Sequence, residues 1–281
     1  MKAPRILLAL GAACVLVNCT VVRVAYESAD EYLHYRAKQY LDLDAKGSQE
    51  LEERIAEFFA WHRKNALPHY ARLSDEAASR VSTGLAREDI AWGYDTLLAH
   101  ARQSLRVGAE RIAPLLDRLT PRQIAQIEKR FVEDNRKFAK EHLKGTEAER
   151  RKRRAKRVEQ RLEDWVGRLS QEQRQKVQRF TERVPLYDEL RERDRKRMQA
   201  EFLDMVRRHE AQQRLPDWVS HWERGRDPAH VAASERFRKE YGELLLELDR
   251  TLSPEQRARA EANLRRYAED FRVLARRGGA E

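Results

Sequence analysis

Apolar residues recur three and four apart along almost the whole of this chain, and that one periodicity restricts it to helices. Leu51, Ile55, Phe58, Phe59 and His62 share a helical face, as do Ile124, Ile127, Phe131 and Phe138. Val158, Leu162, Trp165 and Leu169 repeat the pattern. So do Phe237, Tyr241, Leu244, Leu245 and Leu248, and then Leu264, Tyr267, Phe271 and Leu274. Nowhere does a run of β-branched residues alternate with period two. Charged residues make up 37% of the 281, against only 11 Gly and 8 Pro, a balance that suits long solvated helices around a modest core. The expected fold is all-α: an elongated multi-helix bundle of amphipathic helices. A helix end or a kink is expected at each of Leu67-Pro68, Ala113-Pro114, Val184-Pro185, Leu215-Pro216 and Asp227-Pro228, because proline disfavours the helical conformation at the residue before it. Helix starts are expected at Ser48 and at the capping box Thr146-Glu147-Ala148-Glu149. No interdomain linker is apparent, and the weak internal boundary lies near Gly145, where charge density rises.

The first eighteen residues are of another kind. Lys2 and Arg5 precede twelve apolar or small residues, Ile6 to Val17, too few to span a bilayer but the length of a signal-peptide core. Leu16-Val17-Asn18-Cys19 resembles a bacterial lipobox, with Asn18 departing from the small residue usual before the cysteine. That reading makes 1–18 a lipoprotein signal peptide and 19–281 a single all-helical periplasmic domain, tethered by acyl chains on Cys19. Cys14 is the competing site, but its use leaves apolar Val15–Val17 on the mature chain. Thr20 is not the Asp associated with inner-membrane retention, so the resemblance implies the outer membrane, facing the periplasm. Loss of residues 1–18 lowers the formal charge from +10 to +8. Outside the cytoplasm such an excess points to anionic lipid, lipopolysaccharide or acidic polypeptides rather than nucleic acid.

One short motif occurs three times: Leu119-Thr120-Pro121-Arg122-Gln123, Leu169-Ser170-Gln171-Glu172-Gln173 and Leu252-Ser253-Pro254-Glu255-Gln256. Each is a helix start, with Thr120, Ser170 or Ser253 as cap and Gln123, Gln173 or Gln256 returning a hydrogen bond from the third helical position. The pattern L-[ST]-x-x-Q resembles the LTxxQ signature of the Spy and CpxP group of periplasmic stress proteins. That resemblance implies all-helical curved dimers that bind unfolded or membrane-associated clients without nucleotide; a homodimer is therefore a further expectation. A wider resemblance is to a family of proteobacterial lipoproteins without assigned activity. It is carried by Cys19 to Tyr26 (CTVVRVAY), Tyr40-Leu41-Asp42-Leu43, Trp61-His62-Arg63, Leu67-Pro68-His69-Tyr70-Ala71, Phe131 to Asn135 and the final LSPEQ segment. It favours Cys19 over Cys14 and implies no activity.

Sites of chemistry are scarce. Eight histidines are scattered without an H-E-x-x-H pair, and Leu67-Pro68 separates His62 from His69, so no metal and no cofactor are expected. No glycine-rich phosphate loop and no G-x-S-x-G turn occur, and an enzyme is not expected. Trp61, His62, Arg63, His69 and Tyr70 combine aromatic planes with cations, as a recognition surface for an acidic or carbohydrate partner does. The favoured alternative is a helical corner with Trp61 and Tyr70 in the core; Trp218 and Trp222 pose the same choice. Arg150, Arg151, Lys152, Arg153 and Arg154 open a run of seven cations in Arg150–Arg157. A solvated helix face and an anion-attracting patch explain it equally well, while Arg191–Arg197 reads as a solvated face. Without interleaved aromatics the run does not read as a nucleic-acid site. The functional expectation is a protein-binding or chaperone-like lipoprotein of the envelope. The alternative is an adaptor that docks on an envelope complex, peptidoglycan or anionic lipid through the basic helix.

Overall fold

A computed structural model describes residues 21–277; residues 1–20, Cys19 among them, and 278–281 lie outside it. Among the described residues, twelve helices and no strand form an elongated all-α bundle. They are α1 (Val21–Glu27), α2 (Ala29–Leu41), α3 (Ala45–Asn65), α4 (Leu67–Thr83), α5 (Arg87–Leu116) and α6 (Pro121–His142). Then follow α7 (Glu147–Val166), α8 (Gln171–Arg183), α9 (Asp188–Arg207), α10 (Ala211–Ser220), α11 (Pro228–Asp249) and α12 (Pro254–Arg277). The boxes at Thr120, Thr146 and Ser170 cap α6, α7 and α8 as their sequences dictate. Ser48 does not start a helix. Asp44 does so four residues earlier, its carboxylate accepting from the Gly47 amide at 2.7 Å. Proline ends or opens a helix at 68, 185 and 228, but Pro114 sits inside α5 two residues from its end and Pro216 in the middle of the short α10, each at the cost of one backbone bond.

The helices fall into two units of one design. In the first, α2 packs on α3 and α6, and α3 on α5. In the second, α7 packs on α8 and α12, and α8 on α11. In each unit one packed hairpin, α2–α3 or α7–α8, lies against two further helices, α5 and α6 or α11 and α12. Extra helices interrupt both: α4 in the first, α9 and α10 in the second. These inserts cross between the units. The most extensive pairing in the molecule is α4 along α12, and the next is α10 along α5. Alanines permit both close approaches, since α4 buries Ala71 and Ala78, α12 buries Ala260 and Ala268, and α5 and α10 bury Ala109, Ala113 and Ala211.

Each unit has its own core. Leu51, Leu116, Ile124 and Ile127 anchor the first, joined from α9 and α10 by Met205, Val206 and Leu215. Val158, Leu162, Val177, Phe180, Leu244 and Leu248 form the second. Because the first core takes side chains from both sides of residue 145, Gly145 marks a turn and not a passage between independent halves. Its φ of +95° lies in the left-handed region, and a Cβ there would stand 2.5 Å from Glu149 Oε2, the carboxylate that closes the α7 capping box.

Candidate functional site

The repeated boxes face one another in space. Gln173 Oε1 accepts from its own cap amide, Ser170 N, at 2.9 Å, and Gln256 Oε1 from Ser253 N at 3.1 Å. Their amide nitrogens then cross. Gln173 Nε2 donates to Gln256 Oε1 at 2.8 Å and to the Thr251 carbonyl at 2.9 Å. Gln256 Nε2 donates to Gln173 Oε1 at 3.0 Å and to the Arg168 carbonyl at 2.9 Å. In both directions the carbonyl belongs to the residue two before the facing cap, so the two boxes are related by local two-fold symmetry. The first box obeys the same rule: Gln123 Nε2 donates to the Asp42 carbonyl at 3.2 Å, and Asp42 stands two before the cap Asp44. Leu43-Asp44-Ala45-Lys46-Gly47 is thus a fourth box, unrecognised in the sequence because glycine occupies the place of its glutamine. Four boxes make two pairs, one at the end of each unit.

The Trp61–Tyr70 segment forms the corner onto which the chain's first described helix docks. Tyr26 hydroxyl and His62 Nδ1 are hydrogen-bonded at 2.9 Å, and the Tyr26 ring meets Phe59 edge-on at 5.4 Å. Arg63 lies over both rings. Burial, and secondarily the Arg63 charge, lower His62 to about 4, so its imidazole is neutral at physiological pH. Burial likewise raises the Tyr26 phenol, with Arg63 opposing. Tyr70 reaches Phe271 and His100, while His69 packs against His100 at 4.8 Å and meets Arg72 at 2.7 Å. Arg23 bonds Asp270, which is 1% exposed, and Arg277 pairs with Glu27, so α12 clasps α1 along its length. The five residues are brought together as a packed corner, with His69 exposed and Trp61, His62, Arg63 and Tyr70 half-buried.

The basic run is mostly internal. Arg150 pairs with Asp188 and Glu189, its side chain 11% exposed. Arg151 bonds the carbonyls of Thr181, Glu182 and Val184 at the C-terminus of α8, where a cation meets the negative end of the helix. Arg153 bonds the Lys144 carbonyl. Arg154 is buried, donating to the Pro185 carbonyl at 2.8 Å beneath the Tyr187 and Phe237 rings. Only Lys152, with Lys156 and Arg157, points fully to solvent. Neither a wholly solvated face nor a wholly open patch describes the run: Arg150, Arg151 and Arg154 clamp α7 to the α8–α9 connection. The second run is also less solvated than its sequence implies. Asp194 is buried among Arg197 at 2.8 Å, Arg226 at 3.0 Å and His230 at 3.6 Å, beside a cleft of about 630 Å³ walled by Phe131, Phe202 and Trp218. Trp218 donates to Glu201 at 2.8 Å, and Trp222 lies under Arg102.

Helix α5 carries a feature the sequence reading passed over. Tyr94, Leu97 and Leu105 are 44%, 52% and 47% exposed and lie on one helical face, with Ala101 between them. Apolar spacing was legible there; what remained hidden was that α5 buries another face and leaves this one open. Asp194, Asp249 and Asp270, all buried against arginines, were likewise unmarked in a chain so rich in carboxylates.

Among the described residues no group of three or more His, Cys, Asp or Glu could hold a metal ion, and no helix is long and apolar enough to cross a membrane. No curated protein and no solved structure matches the chain. Residues 39–225 match a family described as of unknown function (DUF6279); the match takes in the first two glutamine-bearing boxes and stops short of the third. With well over half of its length inside that match, the chain belongs to the DUF6279 family.

Proposed function

We propose that this protein binds other polypeptides, unfolded or resident in the envelope, from a lipid anchor on Cys19 at the periplasmic face of the outer membrane. The observation that carries the reading is the open apolar row Tyr94, Leu97 and Leu105 on α5, set in a frame of net positive charge. Such a row offers weak, repeatable contacts to exposed apolar segments without demanding a sequence, and no nucleotide is needed to form them. The resemblance of the boxes to the LTxxQ group agrees with it. The anchor rests on the signal-like residues 1–18 and on Leu16-Val17-Asn18-Cys19. Helix α1 begins two residues after Cys19, so an anchored chain holds its folded body against the lipid surface. The alternative of an adaptor docking through the basic helix loses most of its surface, since Arg150, Arg151 and Arg154 are engaged within the fold.

The test uses a soluble form beginning at Thr20, mixed with several unrelated denatured proteins while light scattering is followed. Suppression near stoichiometry, weakened by the exposed double change Leu97→Lys and Leu105→Lys, supports the reading. A folded protein that suppresses no client ends it. Cys19→Ser, read by incorporation of labelled palmitate, tests the anchor separately.

A further inference from the structure

At the paired end of the second unit lies a slot of about 400 Å³, within the range of small-molecule sites, about 300–1,000 Å³. Leu162, Leu245, Leu248, Leu252 and Leu264 line it, with Trp165 among them. Trp165 is 38% exposed and stacks on Tyr267 at 5.3 Å. The space is too large for one amino-acid side chain and its walls are almost wholly apolar. Its polar groups are few. Asp249 is satisfied by Arg257 and the Leu85 amide. Arg161 and Asp164, one turn apart on the solvent side of α7, make no ion pair among the described residues, and the Tyr241 hydroxyl has no hydrogen-bond partner there. The Arg161 charge acts on that phenol, opposing the rise that burial imposes. An apolar slot with an unpaired cation and an unpaired hydroxyl on its lining suits an alkyl chain that ends in an anionic head.

We propose that this slot binds a single-chain amphiphile with an anionic head, the chain lying among the leucines and the head meeting Arg161 and the Tyr241 hydroxyl. A free fatty acid and a lysophospholipid share that chemistry. Asp164 separates them, because its carboxylate can meet the ammonium of an ethanolamine head but has no partner in a fatty acid.

The experiment places the full chain in phospholipid vesicles with photoreactive hexadecanoic acid, photoreactive lysophosphatidylethanolamine or the uncharged photoreactive alcohol, and maps the labelled peptides after irradiation. Label is expected on peptides bearing Trp165, Leu245 and Leu264, with the alcohol labelling poorly. Arg161→Gln, an exposed change, lowers labelling by either charged probe about tenfold, the worth of one charge-assisted hydrogen bond. Asp164→Asn lowers labelling by the lysophospholipid alone if that is the natural source, and Leu264→Trp fills the slot and abolishes both. Label spread over the surface, unaltered by Arg161→Gln and by Leu264→Trp, overturns the proposal. So does displacement of the label by excess unfolded polypeptide, which would make the slot part of the client surface.

Discussion

Gln173 and Gln256, 83 residues apart, hold each other's carboxamides in a closed pair of hydrogen bonds. The orientation of each amide is fixed by its neighbours, since the cap N–H must meet oxygen and the facing carbonyl must meet nitrogen. Gln173 is fully buried. Gln173→Ala leaves a cap amide, a carbonyl and the partner amide unsatisfied, and should cost about 2–3 kcal/mol. Gln256→Ala should cost somewhat less. In a double-mutant cycle by urea denaturation the two should couple by about 1 kcal/mol or more; simple additivity would mean that the pair acts as two independent caps.

The fourth box offers the converse experiment. Gly47 occupies the glutamine position, and the Arg118 carbonyl, two before the Thr120 cap, lacks the donor that the symmetry of the other pair provides. Gly47→Ala should stabilise by about 0.5–1 kcal/mol through helix propensity alone. Gly47→Gln should add about 1 kcal/mol beyond alanine by completing the exchange. The Cβ that both variants share stands 3.1 Å from Asp44 Oδ1, so alanine is the proper reference, and a glutamine no better than alanine refutes the equivalence of the two pairs.

Acid should loosen the corner that holds α1. His62 titrates near 4 in the folded chain, against 6.5 when free, because burial and then Arg63 disfavour its cation. Between those values the unfolded chain binds more protons than the folded one, so stability rises with pH through this window. The contribution is intact above about pH 6.5, is lost as pH falls, and levels off below about pH 4. After allowance for partial exposure it is on the order of 1–2 kcal/mol. His100, His142 and His230, all lowered chiefly by burial, act in the same direction. Denaturation midpoints at pH 7.5 and 5.0 measure the slope, and His62→Phe should flatten part of it.

The basic run should divide sharply under substitution. Arg154→Met removes the bond to the Pro185 carbonyl and the cation above two rings, and should cost about 2–3 kcal/mol. Lys152→Glu, at an exposed position without a partner, should stay within about 0.5 kcal/mol. Equal and small effects at both sites would return the run to solvent, and with it the anionic docking surface.

These contrasts show where sequence reading stops. Helical spacing determines the fold class here, and Ser or Thr followed by Gln or Glu locates caps closely, because both are short-range physics. What lies across the bundle is not written locally. The acids that satisfy Arg150 are 38 and 39 residues away, and the carbonyls that occupy Arg151 lie 30 to 33 residues on. A local count of acids around the run therefore finds none of them. The motif gave three glutamines a role within their own helices, yet nothing in five residues says that two of them meet, or that Asp44 begins the missing fourth. The open row on α5 was invisible for a related reason: exposure depends on which faces the inserts α4 and α10 cover.

The clasp between α1 and α12 also bears on time. The first described helix has partners on the corner at Phe59 and His62, but its two ion pairs, to Asp270 and Arg277, lie on the last described helix and cannot both form until synthesis has passed residue 277. Helices α4 and α7 also pack on α12, so they too are completed late, whereas α2, α3, α5 and α6 can assemble before it. Helix α1 must wait for those ion pairs, and any partner that handles the nascent chain meets it before they have formed.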